Sequence, residues 1–237
     1  MKRRLDQAMA EKGLVTTRSQ AESWIKLGKV TVDGKMVKKP GIFVREEAEI
    51  LLNTTERYVS RAGLKLASVA QTLSIDFTDT IVLDVGSSTG GFTDFALQHG
   101  ARLVYAVDVG TEQLHPSLHG HSQIELHEKT DIRDFHPAKT PDIIVIDVSF
   151  ISLQDIFPAI ALMCGKQTIV IAMAKPQFEA DRAEVSKGVI KNDTMRRNIL
   201  KRLEVYMKGA FFILDKSDSE VAGAKGNRER FYKLKRR

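Results

Sequence analysis

Only one cysteine, Cys164, and one tryptophan, Trp24, occur in 237 residues. A lone thiol makes neither an internal disulfide nor a multi-cysteine zinc site, which excludes a cysteine-stapled scaffold and a zinc-finger module. No stretch approaches the roughly 18–20 uninterrupted apolar residues that span a bilayer. Met1-Lys2-Arg3-Arg4-Leu5-Asp6 has no apolar run behind its charges, so a secretory leader is not expected and the expected compartment is the cytoplasm. Aromatic residues amount to 7%, too few for extensive base stacking. The Gly-Lys-Ser/Thr ending of a phosphate loop is also missing. What is present is an ordinary globular composition, 43% hydrophobic and 28% charged, in a chain long enough for one medium domain and a small one.

The net charge of +6 is segregated. Residues 1–45 carry +7, 46–79 carry −3, 80–172 carry −6 and 173–237 carry +8. Basic ends flanking an acidic middle suit a protein that grips a polyanion peripherally and holds a small cationic or hydroxyl-rich ligand centrally. In residues 3–14, Leu5, Ala8 and Met9 recur at helical spacing, and Gly13 is a stop. Thr17-Arg18-Ser19-Gln20 fits a capping box before a second helix whose apolar face holds Ala21, Trp24 and Ile25. Gly28 ends that helix, and Lys29 to Lys35 reads as a strand entering an Asp33-Gly34 turn. The pattern R-L-D-x-x-M, T-T-R-S-Q-A-x-x-W-I-x-x-G-K-V-x-V-D-G, K-K-P-G-x-x-V resembles the alpha-L type RNA-binding fold over about Arg3 to Ile50. That resemblance implies Arg4, Arg18, Ser19, Gln20 and Lys26 as RNA contacts, reading phosphate and shape.

Beyond the acidic Glu46-Glu47-Ala48-Glu49 and the polar Asn53-Thr54-Thr55-Glu56, apolar runs alternate with helical ones: Ile81–Val85, Leu103–Val107, Ile143–Val148 and Thr168–Met173. This predicts an α/β domain, a mostly parallel Rossmann-like sheet with helices on both faces, whose ligands sit beyond the carboxyl ends of the strands. The expected domains are a small α+β module over 1–52, a linker over 53–60 and the large domain over 61–237. At the first strand end stands Asp84-Val85-Gly86-Ser87-Ser88-Thr89-Gly90-Gly91-Phe92. Ser88 occupies a turn position where a dinucleotide fingerprint needs glycine, which disfavours hydride chemistry with NAD. Asp108 ends the next strand, as an acid that accepts ribose hydroxyls does, and Asp131 follows at the height of an exocyclic amine. Carboxylates at three strand ends fit a ligand with a ribose, an amine and a sulfonium, S-adenosylmethionine. Its expected contacts are Asp84, Gly86, Ser88, Gly90, Gly91, Phe92, Asp108 and Asp131.

Tyr58-Val59-Ser60-Arg61-Ala62-Gly63-Leu64-Lys65-Leu66, the glycine-rich block, Asp147-Val148-Ser149-Phe150-Ile151-Ser152-Leu153, Lys175-Pro176-Gln177-Phe178-Glu179 and Gly226-Asn227-Arg228-Glu229 together resemble the TlyA, or hemolysin-A, family along essentially the whole chain. Ala62 and Ser87 depart from its common glycine and alanine, small for small. The resemblance implies an FtsJ-like S-adenosylmethionine-dependent methyltransferase acting on a ribose 2′-hydroxyl, of a cytidine, in ribosomal RNA. The partner would be that RNA or a ribosomal subunit, without stable membrane association. It also implies a catalytic set of Lys65, Asp147, Lys175 and Glu229. The chemistry agrees, because a ribose hydroxyl attacking a sulfonium methyl must lose its proton, and a lysine accepts it once desolvation or a second cation weakens its hold.

Other signals weigh less. His115, His119 and His121 are interrupted by Pro116 and Gly120, which argues against a helical metal site. Cys164 sits at a helix end, a core position rather than a nucleophile. The stretch from Ala180 to Asp193 reads as a polar loop over the substrate. The basic amphipathic run from Met195 to Leu203 reads as a sheet-packing helix, and it is the sole support for a membrane-lytic alternative. A non-catalytic RNA-binding assembly factor is the third reading.

Overall fold

The computed structural model describes all residues except 1, 16, 17, 27, 54–57, 182, 183, 186–188, 191 and 222–226, and leaves the side chains of Ser19, Gln20, Ser23 and Lys26 outside the description. The chain divides into two units, 1–57 and 58–237.

In the first unit, β1 (Lys2–Arg4) pairs antiparallel with β4 (Phe43–Arg45), and α1 spans Leu5–Glu11. The helix expected from residue 3 therefore begins at Leu5. Lys2, Arg3 and Arg4 have no apolar side chain to bury, and as a strand their backbone groups find partners on Val44 and its neighbours. Helix α2 (Arg18–Lys26) packs Ala21, Trp24 and Ile25 onto Leu5 and Met9, as its apolar spacing requires. The expected Thr17 cap lies outside the described residues. Strands β2 (Val30–Val32) and β3 (Lys35–Val37) form the expected hairpin. Asp33 (φ 48°) and Gly34 (φ 74°) both take the left-handed conformation of a type I′ turn. Strand β5 (Ile50–Leu52) completes this three-stranded sheet on the other side of β2.

The second unit runs α3 (Arg61–Ala70), β6 (Ile81–Val85), α4 (Gly91–Gln98), β7 (Leu103–Val107), β8 (Ile124–His127), β9 (Ile143–Ile146), α5 (Leu153–Met163), β10 (Ile169–Ala174), α6 (Pro176–Glu179), α7 (Asp193–Met207), β11 (Phe211–Asp218) and β12 (Arg230–Arg236). Within the stretch read as a linker, residues 54–57 are undescribed, and Tyr58–Ser60 pack into this unit. The Val59 N–H donates to Asp94 at 2.7 Å, and the Tyr58 ring lies 5.2 Å from that of Phe95. The sheet order is β11-β12-β10-β9-β6-β7-β8, with β12 antiparallel to both neighbours and β10 to β8 parallel throughout. Helices α3 and α4 cover one face, and α5 and α7 the other. Both faces are buried, so β6 is apolar at every position but Asp84 rather than alternating. Each fully buried Leu, Ile or Phe contributes about 1.5–3 kcal/mol to that core.

Two packing details bear on the sequence reading. Pro158 inside α5 cannot donate to the Gln154 carbonyl, and the Tyr206 hydroxyl of α7 does so instead at 3.0 Å. Helix α7, the basic amphipathic run, buries Ile199, Leu200, Leu203 and Met207 against the sheet. Among the described residues no helix is long and apolar enough to cross a membrane.

Candidate active site at the carboxyl ends of the strands

Strand β6 delivers Asp84 and Val85 to the turn that precedes α4. Gly86 (φ 81°) is obligatory there, since a Cβ would stand 2.9 Å from the Asp147 carbonyl oxygen. Ser88, where glycine was the dinucleotide expectation, is itself left-handed at φ 45°. Two contacts hold it there: its N–H donates to Asp108 Oδ2 at 2.8 Å, and its hydroxyl to Gln113 Oε1 at 3.0 Å. Gly90 (φ 86°) caps α4, Gly91 begins it, and Phe92 is buried behind the turn against Phe231.

Beyond these strand ends lies a cavity of about 450 Å³, bordered by Gly86, Ser88, Asp108, Asp131, Asp147 and Phe150. A second cavity of about 140 Å³ shares Gly86, Ser88, Asp147 and Ser149 with it and adds Asp84, Phe92 and Lys175. Asp108 borders the larger cavity with each carboxylate oxygen holding one backbone N–H, from Ser88 and from Gly110 at 2.7 Å. A carboxylate oxygen has a second lone pair, which here remains for ligand hydroxyls. Asp84 is fully buried. Thr93 donates its hydroxyl to Oδ2 at 2.6 Å, and Oδ1 has no partner. Burial, reinforced by the nearby Asp147 and Asp108, pushes its pKa up to about 7. An orphaned buried carboxylate oxygen at the small cavity, a glycine turn that admits no side chain and a half-satisfied aspartate in the large one fit S-adenosylmethionine. Asp131, the expected amine contact, is more fully hydrogen-bonded than Asp108. It borders the cavity, with Oδ1 accepting the Arg133 N–H and Nε and Oδ2 its terminal nitrogen at 2.6 Å, which lowers its pKa and leaves one lone pair, on Oδ2, for a ligand.

The four residues of the implied catalytic set converge. Lys65 of α3 is ion-paired with Glu229, just before β12, at 2.6 Å, and Lys175 at the end of β10 with Asp147 after β9 at 2.5 Å. Glu229 and Lys175 are buried, with Lys65 and Asp147 only slightly more open. Burial raises the Asp147 pKa, while Lys175 and Lys65 oppose it and Glu229 reinforces it, so the four charges act as one set. Strand β9 ends at Ile146, two residues short of the expected Val148: its pairing with β10 stops there, while the Asp147 N–H still donates to the Val85 carbonyl of β6 at 2.9 Å and its side chain meets Lys175. Glu229 is steadied by its backbone. Ser219 N–H donates to its carbonyl, and the buried Arg196 bonds the Arg228 carbonyl at 2.9 Å and Asp218 at 2.9 Å.

Three contributors went unassigned in the sequence although the quoted blocks contain two of them. Ser149 accepts a hydrogen bond from Lys175 Nζ at 2.8 Å. Phe150 is 91% exposed, left-handed at φ 66°, and 5.1 Å from the Phe178 ring. Arg196 carried no signal beyond its charge.

In the first unit, Arg4 and Arg18 both reach the buried Asp6. Arg4 donates through Nε at 3.1 Å and a terminal nitrogen at 2.8 Å, and Arg18 through Nε at 2.9 Å. Both arginines stay partly exposed. Ser19, Gln20 and Lys26 lie on α2 with side chains outside the described residues, as does Gly226 entirely. His115 bonds Ser117 and His119 the Leu114 carbonyl, and among the described residues no three such side chains are placed to hold a metal ion. Cys164 is buried, with its pKa pushed up to about 11, which suits a core thiol.

A doubly wound sheet with a reversed penultimate strand, a glycine turn after β6 and carboxylates at the strand ends defines an S-adenosylmethionine-dependent methyltransferase. Residues 58–236 match the FtsJ-like methyltransferase model and residues 3–50 the S4 domain. The chain belongs to the FtsJ-like methyltransferase family, with an S4 domain in front. It is 37% identical over 232 residues to Hemolysin A of Brachyspira hyodysenteriae, covering 95% of this chain and 97% of that one. To the 16S/23S rRNA (cytidine-2′-O)-methyltransferase TlyA of Mycobacterium tuberculosis it is 32% identical over 239 residues, covering 98% and 89%. A solved Streptococcus thermophilus structure described as a candidate hemolysin superposes with a TM-score of 0.77 at 36% identity, covering 99% of this chain and 88% of that one.

Proposed function

We propose that this protein methylates the 2′-hydroxyl of a cytidine ribose in ribosomal RNA. The observation that carries the reading is the pair of buried ion pairs, Lys175–Asp147 at the smaller cavity and Lys65–Glu229 close enough to act on Asp147. S-adenosylmethionine, when bound, supplies a methyl group made electrophilic by its sulfonium. Asp108 offers its remaining lone pairs to the ribose hydroxyls of that ligand, and Asp84 Oδ1 offers a free acceptor to its ammonium. The 2′-hydroxyl of the RNA comes to Lys175, which orients its oxygen and takes the proton as the new bond to carbon forms. Acting from its amine form, Lys175 donates its two N–H bonds to Asp147 and Ser149 and turns its lone pair to the substrate hydroxyl, becoming the ammonium as it takes the proton. Lys65, fixed by Glu229, adds the second cation that eases proton loss. Arg4 and Arg18, together with Ser19, Gln20 and Lys26 on α2, supply phosphate contacts to folded RNA from the S4 domain. A lytic role has no support in α7, whose apolar side is occupied by the sheet. The test is a comparison of ribose methylation across ribosomal RNA from cells with and without the protein. One or a few 2′-O-methylcytidines should vanish on deletion, and an unchanged map would remove the reading.

A further inference from the structure

Lys175 and Asp147 lie beyond the ladder that joins their strands, since the pairing of β9 with β10 ends at Ile146 opposite Ala172. No ladder bond between these two strands therefore fixes the 2.5 Å and 2.8 Å contacts of Lys175 with Asp147 and Ser149. What joins the two turns away from the reacting groups is Glu179, four residues past Lys175 in α6. Its Oε1 accepts the Leu153 N–H at 2.9 Å and its Oε2 the Ser152 hydroxyl at 2.5 Å. Ser152 is at the same time the N-cap of α5, accepting the Gln154 N–H at 3.1 Å. The carboxylate thus clamps the start of an 11-residue helix, where an anion is favoured, to the short helix that begins at Lys175. Phe178 packs on Phe150 within the same pair of turns.

We infer that Glu179 is a positioning residue for methyl transfer: it ties the Asp147–Ser149 turn to the Lys175 turn and so sets where Lys175 Nζ stands. This rests on the reading of Lys175 given above. It touches neither substrate nor cofactor, so its loss acts on the rate and not on binding, and a displacement of the order of 1 Å at a reacting group costs up to about 10²-fold.

The experiment uses the full chain, ribosomal RNA and labelled S-adenosylmethionine, both saturating, in single turnover, with cofactor affinity from calorimetry. Glu179→Ala should lose about 10-fold or more in rate, while cofactor affinity and the half-saturating RNA concentration stay within about threefold. Glu179→Gln, whose amide keeps an acceptor for Leu153 and a donor for Ser152, should recover most of that rate. A wild-type rate in Glu179→Ala, a loss confined to binding, or a Gln variant no better than Ala would each overturn the inference. Should Glu179→Ala fail to fold, Ser152→Ala decides. It removes the Oε2 contact, a rate loss of about threefold is expected, and a wild-type rate overturns the inference. Lys175→Ala run alongside separates the failures. An active Lys175→Ala refutes the site itself, whereas a silent one beside an undiminished Glu179→Ala refutes the positioning role alone.

Discussion

Two aspartates with no exposed surface, Asp6 in the S4 domain and Asp84 in the methyltransferase domain, meet burial in opposite ways. Asp6 accepts hydrogen bonds on both oxygens, from Arg4, Arg18 and the Gln7 N–H, and the Arg4 contact leads in holding its pKa well below the usual carboxylate range. Asp84 has Thr93 on one oxygen and nothing on the other, and burial lifts its pKa to about 7. A buried carboxylate whose acceptor capacity is filled belongs to the fold. One left incomplete beside a cavity is waiting for a partner that the chain does not contain.

Ranking the acids and their cations by completeness ranks the effects of removing them. Lys175, with Asp147 and Ser149 on two sides of Nζ and the remaining direction left for the substrate, stands first. Lys175→Ala should lower the single-turnover rate at least ~10²-fold, and Lys175→Arg should fail nearly as badly because a guanidinium keeps its proton at neutral pH. Asp108 is half complete, and Asp108→Ala should weaken cofactor binding by about 1–3 kcal/mol in calorimetry. Asp6 is complete, so Asp6→Ala should cost the S4 domain about 1–3 kcal/mol of stability in denaturant melts and leave cofactor affinity unchanged. Asp131 keeps one lone pair beside Arg133, and Asp131→Ala should weaken cofactor binding less than Asp108→Ala does; a loss as large as that of Asp108→Ala would break the ranking.

The same contrast has a pH signature. The folded pKa of Asp6 lies below its unfolded value, so the stability it provides is present above about pH 4 and fades as pH falls. The folded pKa of Asp84, about 7, lies above its unfolded 3.8. The native domain then holds a proton that the unfolded chain has lost, and its stability declines as pH rises from about 4 to about 7. Asp147, raised in the same direction, adds to that slope. Hydrogen exchange should show the S4 domain gaining stability as pH rises towards about 4 and the second domain losing it between about 4 and about 7, and Asp84→Asn should flatten that second slope.

Two strands with both faces covered were legible to the residue: Ile81–Val85 and Leu103–Val107 are unbroken apolar runs apart from Asp84, because sheet and helices leave no wet side, whereas β9 ends two residues early and β10 is shifted by one. The β11–β12 hairpin was not legible. Arg230-Phe231-Tyr232-Lys233-Leu234-Lys235-Arg236 interleaves cations with buried side chains, and Lys233 finds its acceptors on the Leu73 and Ser74 carbonyls, 160 and 159 residues away. Strand β1 was hidden for a similar reason, since three cations carry no period. At the site, strand-end acids announced themselves by type and spacing. Whether an acid is complete is a tertiary fact, so Asp131 and Asp108 read alike in sequence and differ in the fold through Arg133. Glu179 and Ser149 lay inside recognised blocks, yet only the distances to Ser152, Leu153 and Lys175 give them work.

The most direct measurement is the chemical fate of the methyl group. Ribosomal RNA incubated with the protein and S-adenosylmethionine carrying a labelled methyl, then digested to nucleosides, should release the label as 2′-O-methylcytidine. Label recovered on a base, or none transferred by folded, cofactor-binding protein to either ribosomal RNA, would contradict the assignment of Lys65, Asp147, Lys175 and Glu229 to a ribose hydroxyl.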